Sequence, residues 1–252
     1  MSTTTSLHRP ETARLSQTAP TEIAIPGSIP PALAAQGAIV RTRRGQSLPL
    51  TLDGSETVFV VRAGALMLRV TLPGDLRQVV GLLYPGDVVR SAFAPPQASA
   101  HLSAVTAGEV LRYRQATFAA LSEDDPAIAR YYDDAVAKQT ARQAIHMATV
   151  GRLDCQQRLA TFLTELALHT GVRAPSGGVM FDMPLNRTDM ADYLGLNADT
   201  LSRTISRLRA SGLLSHPERH RALVRDFEAL AALTPAAGAL MALCGTSPTQ
   251  GG

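Results

Sequence analysis

The sequence predicts an α+β chain: an antiparallel β-module, then a long helix, then a winged helix-turn-helix. Three observations carry this. Short apolar runs divided by glycine turns fill residues 38–114. A helical period of three and four takes over after about residue 115. The stretch LGLNADTLSRTISRLRASG (Leu194–Gly212) reads as the end of one helix, a tight turn and a second helix.

A length of 252 residues suits one large domain or two, and 45% apolar residues can build a real core. The net charge of +3 is compatible with nucleic acid without pointing to it; its distribution says more. Arg203, Arg207, Arg209, Arg219, Arg221 and Arg225 crowd the second helix of that stretch and the residues after it, whereas the chain has a single lysine, Lys138. No apolar run reaches membrane-spanning length and no signal-peptide core opens the chain. Two cysteines, Cys155 and Cys244, make neither a disulfide scaffold nor a metal-ligand spacing. A soluble protein of the reducing cytoplasm is expected, without a membrane partner. There is no P-loop, no metal-binding helix and no nucleophile–base pair, so an enzyme is not expected.

Residues 1–30 are rich in Ser, Thr and Pro and poor in large apolar residues, which predicts a disordered tail. The runs TVFVVR (57–62), ALMLRV (65–70), RQVVGLLY (77–84), SAHLSAVT (99–106) and EVLRY (109–113) read as strands. Ala63-Gly64, Pro73-Gly74-Asp75 and Pro85-Gly86-Asp87 separate the early ones, since glycine and proline set turn geometry. Such a module needs no ligand to be stable. Asp125-Pro126 opens a long helix, because proline suits the first turn. Within it Ala129, Tyr132, Val136, Gln139, Gln143, His146 and Val150 fit a coiled-coil seam with a polar middle, and equally an ordinary surface helix. A helix from Asp154 to about His169 follows, with Leu159, Phe162, Leu163 and Leu166 on one side.

In the opening stretch, Asn186 or Thr188 caps a short helix, Gly195 makes the turn, and Asn197 caps the next helix. Ala191, Gly195, Leu201 and Ile205 have helix-turn-helix spacing: the small residue lets the helices approach and the leucine fills their shared core. At about 100° per residue, Asp199, Ser202, Arg203 and Ser206 fall on one face and Leu201, Ile205 and Leu208 on the other. Arg203 can offer two donors to a guanine edge, Asp199 can accept from cytosine, and Ser202 suits either kind of partner. An acid in a first turn also simply favours the helix dipole, so Asp199 serves either role. Asn197, Thr188, Ser206, Arg207, Arg209, Arg219 and Arg221 are the candidates for the DNA backbone, where cations neutralise phosphates. LLSHPERHRALVRD reads as a hairpin wing with Arg219, His220 and Arg221 at its tip.

NRTDMADYLGLNADTLSRTISRLRASGLL resembles the DNA-binding signature of the Crp/Fnr family of bacterial transcription regulators. RRGQS (Arg43–Ser47), VVRAG (Val60–Gly64) and YPGD (Tyr84–Asp87) are similar to its β-module. The resemblance implies a cyclic-nucleotide-binding-like β-roll (31–122) after the tail, a dimerisation helix (123–150), a winged helix-turn-helix (151–226) and a flexible tail (234–252). It implies a homodimer on two-fold symmetric double-stranded DNA, with RNA polymerase as a partner. In the branch like the fumarate and nitrate reduction regulator a Glu-x-x-Ser-Arg set reads a TTGAT-type half-site. Asp199, Ser202 and Arg203 match it, with aspartate one methylene shorter. Cyclic-AMP-binding members carry Gly-Glu for the ribose and Arg-Ser or Arg-Thr for the phosphate. Here Arg90-Ser91 and Ala98-Ser99 stand at those places, so cyclic AMP lacks its charge-assisted partner. Iron–sulfur members need four thiolates, and haem members a histidine context that His101 and His146 do not offer. No cofactor is expected; the competing reading is a small-molecule sensor whose ligand binding is the main activity. A redox role for Cys155 competes with an inert buried thiol.

Overall fold

Val58, Phe59, Val60 and Val61 are apolar at every position because their strand is covered on both faces. The computed structural model describes residues 28–93, 97–175, 177–218 and 220–245. In it Val58 and Val60 pack towards helices, and Phe59 and Val61 towards a second sheet.

After α1 (Pro31–Gln36) come β1 (Ala38–Thr42), β2 (Ser47–Leu48), β3 (Thr51–Leu52), β4 (Ser55–Ala63), β5 (Leu66–Leu72), β6 (Leu76–Leu83), β7 (Val88–Arg90), β8 (Ser99–Ala104) and β9 (Gly108–Arg114). One sheet runs β1-β9-β4-β3 with β7 also paired to β4; the other runs β2-β8-β5-β6. All the pairings are antiparallel. Leu48, Phe59, Leu66, Leu102 and Val110 fill the space between them. This is the expected β-roll, with the five foreseen strands as β4, β5, β6, β8 and β9. The Ala63-Gly64 turn must be glycine: a Cβ on Gly64, at φ +80°, would lie 2.6 Å from the Ala107 carbonyl oxygen.

α2 (Gln115–Asp124) leads into α3 (Pro126–Arg152), whose start is set by Pro126 and by the Asp125 side chain accepting from Ala127 N at 2.8 Å. One face of α3 packs on its own chain: Ile128, Ala135, Gln139 and Thr149 are buried, and Gln139 donates to the Val88 carbonyl. The expected stripe along α3 is partly taken up within the chain. Its Gln139 is consumed by the β-roll, and His146 stacks on Tyr193. The outward line lies one residue later, at Arg130, Asp133, Ala137, Thr140, Ala144, Met147 and Gly151, all exposed.

Leu153 breaks the helix, and α4 (Cys155–Thr170) restarts it with a capping box between Asp154 and Gln157. Then come β10 (Val172–Arg173), β11 (Val179–Asp182), α5 (Arg187–Leu194), α6 (Ala198–Ala210), β12 (Leu214–Glu218), β13 (Arg221–Val224), α7 (Phe227–Ala232) and α8 (Ala237–Leu243). The last sheet, β10-β11-β13-β12, is the wing. The expectation of a flexible tail from 234 is corrected: Ala237 and Leu240 are buried as α8 packs on α3 and α4, and Thr234 bonds Thr161 at 2.6 Å. Residues 1–27 and 246–252 lie outside the described residues.

Candidate nucleic-acid interface

Two short helices meet at a glycine. Asn186, not Thr188, caps α5, its Oδ1 accepting from Asp189 N at 2.9 Å. Gly195 closes α5 in the left-handed region, φ 61° and ψ 40°, where a side chain is disfavoured. Asn197 caps α6, accepting from Thr200 N at 2.8 Å. Arg158, reaching from α4, donates to the carbonyls of Leu194 and Gly195 at 3.1 and 3.2 Å and so satisfies the end of α5.

Burial divides α6 as its period requires. Leu201, Thr204, Ile205 and Leu208 are buried; Asp199, Ser202, Arg203, Ser206, Arg207 and Arg209 are exposed. Ala191 is buried beneath the same turn, and Leu201 and Ile205 share one core with Leu159, Phe162, Leu163 and Leu166 of α4. The proposed base readers are thus on one open face, with Asn197 at its start and Thr188 exposed in the first turn of α5. Ser206 is exposed, its hydroxyl donating to the Ser202 carbonyl at 2.9 Å. None of Arg203, Arg207 and Arg209 joins an ion pair among the described residues. Arg221 does: its Nε lies 3.4 Å from Asp182 Oδ1 across the wing sheet. Arg219 lies outside the described residues.

Sequence reasoning missed two neighbours of this face. Burial, then the nearby Arg209 and Arg187 (in the first turn of α5), lowers the pKa of His216 on β12, so the two arginines carry the charge here and the imidazole is held towards its neutral form. It also missed Glu165, an acid inside the apolar run FLTELAL, which was the available signal.

The β-roll holds the helix pair through α5 and the segment before it. Arg69 pairs with Asp189, Arg77 Nε lies 3.0 Å from Asp192 Oδ2, and Gln78 donates to the Asp192 carbonyl. Arg44 donates to the Pro184 carbonyl at 3.0 Å. Behind these, Tyr84 and Tyr193 each donate to one oxygen of Glu165, and Asp87 pairs with Arg142 of α3.

Two histidines sit in this junction. His146 stacks on Tyr193 at 4.1 Å and His169 on Tyr84 at 4.0 Å. Burial pushes His146 down to about 4; burial, then Arg142, pushes His169 to about 3. A folded pKa below the unfolded one means stability is fully present above pH 6.5 and is lost as pH falls towards 4. For His146 the shift corresponds to roughly 3 kcal/mol. Proton NMR should therefore show its ring neutral at pH 5.5, and His146→Phe should flatten the acid limb of denaturant stability between pH 6.5 and 4. A midpoint near 6.5 for this ring would contradict its burial.

Two hollows flank α3 among the described residues. Between the β-roll and α3, beside Leu68, Phe93, Gln143 and His146, only about 20 Å³ is open, and the larger hollow at Pro85-Gly86-Asp87 offers about 70 Å³. Small-molecule pockets run to roughly 300–1,000 Å³. The Arg90 guanidinium lies 5.9 Å over the Tyr132 ring, under the helices. A four-thiolate cluster is short of two cysteines in a chain that has two. Burial raises the Cys244 thiol to about 11, so it stays protonated beside His169. Among the described residues no helix is long and apolar enough to cross a membrane.

Residues 157–233 match the Crp-like helix-turn-helix domain. The chain is 29% identical over 179 residues to the nitrogen fixation regulation protein FixK of Azorhizobium caulinodans, covering 70% of this chain and 71% of that one. It is 27% identical over 191 residues to the transcriptional activator protein FnrL of Cereibacter sphaeroides, covering 74% and 76%. The structure of FixK2 from Bradyrhizobium japonicum superposes with a TM-score of 0.66 at 26% identity, over 79% of this chain and 98% of that one. CooA from Carboxydothermus hydrogenoformans, at 20% identity, shares the fold with a TM-score of 0.62 over 87% and 97%.

Proposed function

We propose that the chain is a transcription regulator of the Crp/Fnr type that binds a two-fold symmetric DNA site as a homodimer, with α6 in the major groove; its matches to the Crp-like helix-turn-helix domain, FixK, FnrL and FixK2 support this. The observation that carries this is the open face of α6: Ser202 and Arg203, with Asp199, project from a helix whose other side is locked in the core. Arg203 reads guanine with two donors, Ser202 adapts to its neighbour, and Asp199 takes the place of the family glutamate with a shorter reach. Asn197, Thr188, Ser206, Arg207, Arg209 and Arg221 of the wing face the phosphates, Arg221 while held by Asp182. Arg187, exposed in the first turn of α5, joins them.

The dimer forms along α3. The face opposite the one packed on the β-roll presents Ala137, Thr140, Ala144, Met147 and Gly151 at coiled-coil spacing, and Met147 is 71% exposed. The Thr140 hydroxyl bonds back to the Val136 carbonyl at 2.8 Å, leaving its methyl for the seam. RNA polymerase is the protein partner in the cytoplasm, and the chain is not an enzyme. The sensor reading is not favoured: the hollows beside α3 that the described residues line hold about 70 and 20 Å³.

Selection of binding sites in vitro, followed by footprinting on genomic DNA, tests this. The expected motif has two inverted half-sites, about 10–10.5 bp between centres, resembling TTGAT. Affinity should fall steeply with salt. Enrichment of no motif, or of an unpaired half-site, would defeat the reading.

A further inference from the structure

We propose that Glu165 is a positioning residue for the recognition helix: its two carboxylate oxygens tie the β-roll to α5 and so let the β-roll set the orientation of the reading face. This rests on the DNA-binding reading above and concerns how that face is held.

Glu165 is 4% exposed, in the middle of α4. A carboxyl there loses its water, which is costly unless polar partners replace it. Tyr84 donates to Oε1 at 3.1 Å and Tyr193 to Oε2 at 3.0 Å. The two donors come from different units: Tyr84 follows β6 of the β-roll and Tyr193 belongs to α5. Both phenols are buried as well, so neither hydroxyl has water as an alternative.

Each end of the bridge is itself anchored. The Tyr84 backbone N–H donates to Asp87 Oδ2 at 2.8 Å, Asp87 pairs with Arg142, and the Arg142 guanidinium lies 5.3 Å over the Tyr84 ring. Tyr193 is stacked on His146, so α3 braces both tyrosines. Arg142 and Asp87 are the charges that bear on the carboxyl. Apart from its contacts with α3, the β-roll's polar ties end on α5 or on Met183–Pro184, and α6 follows α5 through the shared Ala191–Leu201 core. Among those ties the bridge is the buried one. Arg69–Asp189 and Arg77–Asp192 are partly exposed pairs of the kind worth about 0–1 kcal/mol each. Apolar packing alone tolerates sliding between domains. Two directed hydrogen bonds on one planar group, in low dielectric, define distance and angle.

The test uses the full-length chain and the selected DNA site. Tyr84→Phe removes one hydroxyl, far from the reading face. Its affinity for that site, corrected for folded fraction, should drop at least five-fold, the lower end of ordinary coupling between sites. Amide exchange in α5 should speed up at the same time. Adding Tyr193→Phe should change affinity less than twofold further, because the bridge is already open. Glu165→Gln, which still offers a donor and an acceptor, should stay within about threefold of wild type, whereas Glu165→Leu should match the double phenylalanine variant. If Tyr84→Phe unfolds, the Gln and Leu pair decides alone. Lowered melting temperature with unchanged corrected affinity and unchanged α5 exchange would overturn the proposal and leave Glu165 a packing residue. Failure of the wild type to bind any selected site would instead overturn the DNA reading; the exchange experiment still tests the bridge.

Discussion

Arg203→Ala is expected to weaken binding to the selected site by roughly 1–3 kcal/mol at each half-site, and so by about twice that for the dimer. The guanidinium is the side chain on the open face that can make a bidentate contact to O6 and N7 of guanine. It joins no ion pair among the described residues, so its removal opens no buried charge and should leave the fold intact. Leu201, Ile205 and Leu208, which hold α6 in place, are untouched. The loss should be selective. Affinity for random DNA should fall only as one lost phosphate attraction would, and discrimination at the contacted base should relax. Arg207→Ala is the natural contrast, weakening all sequences alike. Titrations of selected and scrambled duplexes at two salt concentrations measure both terms; equal affinity of wild type and Arg203→Ala for the selected duplex would remove Arg203 from base reading.

Ala144→Arg is expected to convert the dimer to a monomer and to lower affinity for the two-fold site by roughly 10²–10⁴-fold, the gain that linking two binding events ordinarily provides. Ala144 lies on the α3 face turned away from the β-roll, between Thr140 and Met147. In a parallel pair its side chain meets its own symmetry copy, so two guanidiniums would be forced together in a seam built of small side chains. The change leaves the internal face, with Ile128, Ala135, Gln139 and Thr149, as it is. The monomer should therefore stay folded and keep single half-site binding. Lys138→Glu, exposed but off the seam, should remain dimeric. Sedimentation velocity reads the first effect and the same DNA titration the second. A stable dimer of Ala144→Arg would place the interface elsewhere.

The reading helix was legible because its signal is local. Capping at Asn197, the turn at Gly195 and the separation of Leu201, Ile205 and Leu208 from Ser202 and Arg203 depend only on residues within one or two helical turns. The strands of the β-roll were legible for the same reason, from apolar runs and glycine turns. Short strands such as β2, β3 and β7 were not: two or three residues carry no period, and long-range pairing places them. The sequence places Arg221 at the tip of a wing but gives no sign of its neighbour Asp182, which is 39 residues away and becomes adjacent through the β11–β13 register.

The seam of α3 shows the boundary most sharply. A spacing of three and four defines a stripe on a helix but not the direction it faces. The sets beginning at Ala129 and at Arg130 have identical spacing, about 100° apart. Which one stays open depends on what packs on the helix: the β-roll takes Gln139, and Tyr193 of α5 takes His146. The same holds for α8, whose small apolar residues became ordered because Leu240 found a buried site against α3 and α4. Glu165 is the deepest case. In the chain it is one acid within an apolar run, 81 residues from Tyr84 and 28 from Tyr193. Local sequence was enough to specify a helix-turn-helix and the class of fold that carries it, since periodicity, caps and turns act over a few residues. How that helix is held, and which side of α3 is left exposed, followed from contacts between segments distant in the chain, whose geometry exists only once the domains are packed together.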